Sequence, residues 1–151
     1  MAQKKKKDYK RSTYVETLDS VFSHYLRQKY ADENGYVRCY TCDKTFHWKD
    51  IQCGHYFSRV SLATRWSESN CRPQCSGCNV AQHGNYPIFG IRLAQEIGTK
   101  GMEKLEQLHN KTVKLSNLDL LEMTKEYYDK LRWPGEISQE LSRKLKKLKV
   151  I

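Results

Sequence analysis

Apolar positions near the start of the chain recur at helical steps. Tyr14, Val15, Leu18, Val21, Phe22, Tyr25, Leu26 and Tyr30 lie three or four residues apart, which places them on one face of an α-helix. Thr13 and Glu16 have capping-box spacing, and Asn34-Gly35 is a stop signal. The pattern predicts a helix of about 20 residues whose aromatic stripe is core.

The middle of the chain loses that period. Tyr36 to Arg38 and Thr45 to Trp48 read as short extended pieces, and Gln52 to Phe57 alternates like a strand. Ser58 to Ser69 reads as a loop with one helical turn, and Asn70 to Gln74 leads back to the second knuckle. A short helix is expected from Cys78, ending near Gly84-Asn85. Helical periodicity then resumes. Ile88, Ile91, Leu93 and Ile97 form one set, with Gly98 as a terminator. Met102, Leu105 and Leu108 form a second, ending near Asn110. Ser116 caps a third, carrying Leu118, Leu121, Tyr128 and Leu131 and stopping before Pro134. Leu141, Leu145 and Leu148 mark a basic amphipathic end piece. The organisation expected is a basic, disordered head over 1–12, one domain over 13–135, and a basic tail, helical by pattern, over 136–151.

Composition sharpens this picture. Apolar residues make up only 38% of 151, so a structural metal would offset a small core. Six cysteines, with no signal peptide and no apolar run long enough to span a bilayer, predict a reducing, cytoplasmic setting and no membrane partner. In that setting Cys-x-x-Cys pairs read as metal ligands. Lys and Arg exceed Asp and Glu by 27 to 17, which favours a polyanionic partner such as DNA. The excess is concentrated in Lys4 to Lys7, Lys10 and Arg11, and in Arg143, Lys144, Lys146, Lys147 and Lys149.

Cys39/Cys42 and Cys75/Cys78 are two such pairs, separated by 32 residues. Each tight turn presents two sulfurs to one ion, and together they make a tetrahedral structural Zn²⁺ site that closes the intervening loop. Cys53 and Cys71 lack close partners in sequence and read as small buried residues. His24 and His109 read as bystanders, and His47 is a substitute zinc ligand only if the cysteine frame is incomplete.

Inside the zinc frame lie Gly54-His55-Tyr56, Arg65 and Asn70, and the second pair runs into Asn79, four residues before His83. This arrangement resembles the HNH, or ββα-metal, nuclease superfamily, with asparagine at the third position. The fold implied is α+β: a zinc-stapled, treble-clef-like ββα-metal core with an N-terminal helix and a C-terminal helical part. A narrower resemblance, carried by Gly54-His55-Tyr56, Arg65, Asn70, Gln74-Cys75-Ser76-Gly77-Cys78-Asn79, Gly84-Asn85, Arg92-Leu93, Gly98 and Tyr127-Tyr128, is to the phage NinG (Rap) recombination proteins. It spans about residues 36 to 131. It implies a metal-dependent, structure-specific DNA endonuclease acting on Holliday junctions and displacement loops, leaving 5′-phosphate and 3′-hydroxyl ends.

The resemblance makes His55 the general base and Asn70 a loop brace. Asn79 and His83, one turn apart if Cys78 opens a helix, would hold a catalytic Mg²⁺ or Mn²⁺, with Asn85 as the substitute for His83. Arg59, Arg65 and Arg72 are phosphate-contact candidates. Arg65 is the leading one, with a structural ion pair to Glu68 or another carboxylate as its rival. Trp66 reads as core. One position departs from the pattern: many HNH nucleases carry an acidic residue or histidine before the base, and here Gly54 stands there. Asp50 is too far along a strand to replace it, roughly 16 Å away. Junction resolution needs two symmetric cuts, which a C2 homodimer supplies most simply. The rival readings are a non-catalytic zinc module that binds nucleic acid, and an HNH enzyme that nicks specific duplex sequence.

Overall fold

The computed structural model describes residues 8–151. The lysine run at positions 4–7 lies outside the described residues. Among the described residues, five α-helices accompany two small antiparallel sheets: α1 (Arg11–Tyr30), β1 (Tyr36–Arg38), β2 (Thr45–His47), β3 (Gln52–His55), α2 (Leu62–Arg65), β4 (Cys71–Gln74), α3 (Tyr86–His109), α4 (Asn117–Asp129) and α5 (Gln139–Leu148). β1 pairs with β2, and β3 pairs with β4 with His55 opposite Cys71.

The first helix starts at Arg11, not at Thr13, and its N-cap Lys10 makes no side-chain cap bond. The capping box is overridden by tertiary contacts. Tyr14 is buried with its hydroxyl donating to Asp8, and the Arg11 guanidinium donates to the Leu115 carbonyl. The predicted stop works through Asp32, whose carboxylate accepts from the Asn34 and Tyr36 amides while Gly35 takes φ 85°. The aromatic stripe is core: Tyr14, Leu18, Phe22, Tyr25 and Leu26 pack with Trp66, Leu120 and Leu131.

The C-terminal helices bury much of the predicted apolar set, but not all of it. In α3 the buried positions are Phe89, Leu93 and Leu105, whereas Ile88 and Ile91 are exposed. Gly98 (φ 71°, ψ 175°) kinks this helix between the two predicted segments. In α4 Leu120 and Thr124 are inside and Leu118 is exposed. The expected Ser116 cap is present as a reciprocal capping box with Asp119. In α5, Leu141, Leu145 and Leu148 are buried, the first two against Val21. Among the described residues no helix is long and apolar enough to cross a membrane.

Candidate metal centre and cleft

The four sulfurs of Cys39, Cys42, Cys75 and Cys78 lie within 4.8 Å of one another. Cys42 Sγ and Cys75 Sγ are 3.8 Å apart. A tetrahedral Zn²⁺ with bonds of about 2.3 Å sets sulfur–sulfur edges of roughly 3.8 Å, so the donor set is compatible with structural zinc. The Cys75 amide donates to Cys39 Sγ at 3.3 Å. Burial raises the Cys39 thiol, but amide hydrogen bonds, that of Cys75 foremost, outweigh it and bring the thiol down to about 6. Burial pushes Cys42 and Cys75 the other way, so those thiols give up their protons only as a metal binds. His47 accepts from the Lys49 amide instead and is not among these ligands.

The cysteine frame anchors one wall of a cleft of about 630 Å³. His55 and Gln52 from β3, Arg59, Asn79, His83, Tyr86 and Asp19 of α1 line it. After the second knuckle the chain does not continue as an α-helix. Residues Gly77–Ala81 form one π turn, in which the Gln82 amide reaches back to the Gly77 carbonyl. His83, Gly84 and Asn85 then all take positive φ. Asn79 and His83 therefore do not share a helical face, yet the turn still brings both to the cleft. Asn85 is the N-cap position of α3 and does not line the cleft.

The His55 ring has a defined tautomer. Its Nε2 lies 2.8 Å from the Arg65 carbonyl. A carbonyl only accepts, so Nε2 carries the proton and the lone pair of the neutral ring sits on Nδ1. Burial lowers the pKa of His55, and the bond to Arg65 only partly opposes this. The imidazole is thus neutral near pH 7 and able to accept a proton.

Asn70 braces the loop below that ring. It is fully buried. Its Oδ1 accepts from the Phe57 amide at 2.7 Å, and its Nδ2 donates to the carbonyls of Phe57 (2.9 Å) and Thr64 (3.1 Å). It thereby ties the end of β3 to α2, which carries the Arg65 carbonyl. Asp19, which the sequence reading missed, fixes the same segment from α1. Its carboxylate takes a bidentate pair from Arg65 (2.9 and 2.6 Å) and the Trp66 indole N–H at 2.9 Å.

The three arginines have separate fates. Arg59 lines the cleft, is exposed, and pairs with no carboxylate among the described residues. Arg65 is held by Asp19, the kind of structural ion pair named as its rival. Arg72 is buried, donates to Glu96, and belongs to the other face of the sheet, since it neighbours Cys71 in a strand whose side chains alternate. The structure does not bring Arg72 to the cleft.

Gly54 also has a physical cause. A Cβ there would meet Gln74 Oε1 at 2.1 Å. Gln74 is fully buried and donates from Nε2 to Thr41 (3.0 Å) and to the Gly84 carbonyl (2.8 Å). The space that a side chain before His55 would take is filled by Gln74.

Fold and site thus define a mixed α/β protein in which a four-cysteine cluster, compatible with zinc, pins short strands beside a polar cleft. The family described as Bacteriophage Lambda NinG protein matches residues 1–135, and the chain belongs to it. That membership implies a role related to phage recombination. Neither the curated proteins nor the solved structures contain a match to this chain.

Proposed function

We propose that this protein is a metal-dependent HNH-type DNA endonuclease that cuts branched recombination intermediates. The observation that carries the reading is the His55 ring, kept neutral by burial and oriented by the Arg65 carbonyl at Nε2, in the same cleft as Asn79, His83 and Arg59. In this mechanism His55 Nδ1 takes a proton from water, and the resulting hydroxide attacks phosphorus in line. The bond to the 3′ oxygen breaks and that oxygen is protonated from solvent, leaving 5′-phosphate and 3′-hydroxyl ends. Asn79 suits a divalent cation: its Nδ2 donates to Gln52 Oε1 at 2.8 Å, which leaves Oδ1 as a donor oxygen. With His83 it would hold Mg²⁺ or Mn²⁺, which when bound stabilises charge on the phosphate and leaving oxygen. Both ligands are neutral, so tight binding needs phosphate oxygens from the substrate. Arg59 supplies a cation for the neighbouring phosphate.

The net charge of +10 supports a DNA partner. The preference for branches follows from the family's recombination role, and paired symmetric cuts call for a C2 dimer. The test offers zinc-loaded protein a four-way junction and its matched duplex arms, with Mg²⁺, Mn²⁺ or EDTA. Cation-dependent cutting of the junction over duplex is expected. Binding without cutting under every condition would establish a non-catalytic zinc module, and preferred nicking of one duplex sequence would replace the branch specificity.

A further inference from the structure

Cys53, His55 and Cys71 form a second group of metal-binding atoms, all within 4.8 Å of one another. The strand register creates it. His55 stands opposite Cys71, and Cys53 lies two residues before His55, so all three share one face of the β3–β4 sheet. Cys71 is fully buried, with Sγ 3.9 Å from the Arg65 carbonyl that also binds His55. Cys53 and His55 open onto the cleft.

We propose that this cluster is a second, inhibitory metal site, taking a thiophilic divalent cation of the Zn²⁺ class through two thiolates and one imidazole. The fourth position faces the cleft and would be filled by water. The donor set favours zinc over Mg²⁺ or Ca²⁺, which take oxygen ligands. Local charge points the same way. The Arg27 guanidinium is largely buried, acts on Cys53, and has no carboxylate in ion-pair range among the described residues. It would repel a dication held by uncharged groups. Two thiolates cancel the charge of the ion, and each thiol gives its proton to solvent on binding.

Occupancy captures His55 by either route. Ligation through Nδ1 consumes the lone pair, and ligation through Nε2 displaces the bond to Arg65. The consequence for cleavage rests on His55 being the base, but the binding itself does not.

The deciding experiment loads the full chain with one equivalent of zinc under a phosphine reductant and titrates it with Co²⁺, reading thiolate-to-cobalt absorption. Wild-type protein is expected to take up one further tetrahedral, thiolate-bound cobalt. Cys53→Ser is expected to lose that step while keeping its first zinc and its helical circular dichroism. Cys71→Ser repeats the test from the other strand. Absence of the second step in wild type, or its survival in Cys53→Ser, overturns the proposal. Added zinc should also suppress junction cutting by wild type and not by Cys53→Ser, each relative to its own zinc-limited rate. If no preparation cuts DNA, the endonuclease reading fails while the cobalt titration still decides this site.

Discussion

Replacing Asn70 by alanine removes three hydrogen bonds: the Phe57 N–H and C=O lose this partner, and the Thr64 C=O keeps only backbone donors such as the Ser67 amide at 3.2 Å. The Thr64 bond is buried, and the two to Phe57 are partly so. A net hydrogen bond contributes about 0.5–1.5 kcal/mol, with the high end for the buried one. Water reaching Phe57 recovers part of the rest, so the expected loss is about 2–3 kcal/mol. For a chain of this size that is a fall in Tm of roughly 5–10 °C. Asn70→Asp is a sharper probe. Its carboxylate still accepts from the Phe57 amide but turns an oxygen toward the two carbonyls, so it should be no more stable than alanine. Thermal and urea denaturation of both variants, with zinc saturating, measures the effect. A Tm for Asn70→Ala within about 2 °C of wild type, or a fully stable Asn70→Asp, would refute the bracing role.

Four further outcomes are expected. Gly54→Ala should cost about 1–3 kcal/mol by forcing Gln74 from its site, and Gln74→Ala in the same chain should recover part of that loss in a double-mutant cycle. Acid should destabilise the fold through His24, which burial first and Arg27 second lower to about 4. The unfolded chain protonates this group near 6.5, so stability is retained above pH 6.5 and falls toward pH 4, by up to about 3 kcal/mol, a limb that Asn at position 24 should flatten in urea titrations. Burial also lowers His55, so the acid limb of any cleavage rate should have its midpoint below the usual histidine value of about 6.5. Chelating zinc, or Cys78→Ser, should abolish hydrogen-exchange protection in β1, β2 and the Cys75–Cys78 knuckle, while the apolar packing of α1 with α4 and α5 preserves protection there.

The zinc frame and the first three short strands were legible because they rest on local rules, knuckle spacing and alternation; the brace at Asn70 came from the family resemblance and β4 was not foreseen. Five other features were not legible. The register of buried faces in α3 and α4 depends on which side tertiary packing covers, so Ile88, Ile91 and Leu118 stand outside although their period is helical. The segment after Cys78 is bent by the knuckle into a π turn with successive positive φ values, so helical spacing misdescribed how Asn79 and His83 meet. Asp19, Arg65 and Trp66 are joined by contacts across 46 and 47 positions, which no spacing rule reaches. Cys53 and Cys71 looked solitary because only the β3–β4 register brings them beside His55. Gly54 was a departure in sequence and acquires its reason only once Gln74 is seen against it.

The central claim is that the Nδ1 lone pair of His55 acts as the base for phosphodiester hydrolysis. It is tested most directly by single-turnover cleavage of a four-way junction with saturating zinc-loaded protein and Mg²⁺ or Mn²⁺, comparing wild type with His55→Ala. The account predicts a rate loss of about 10²–10⁴-fold with junction affinity and zinc content retained. A His55→Ala protein that binds the junction and cuts it at the wild-type rate would contradict it.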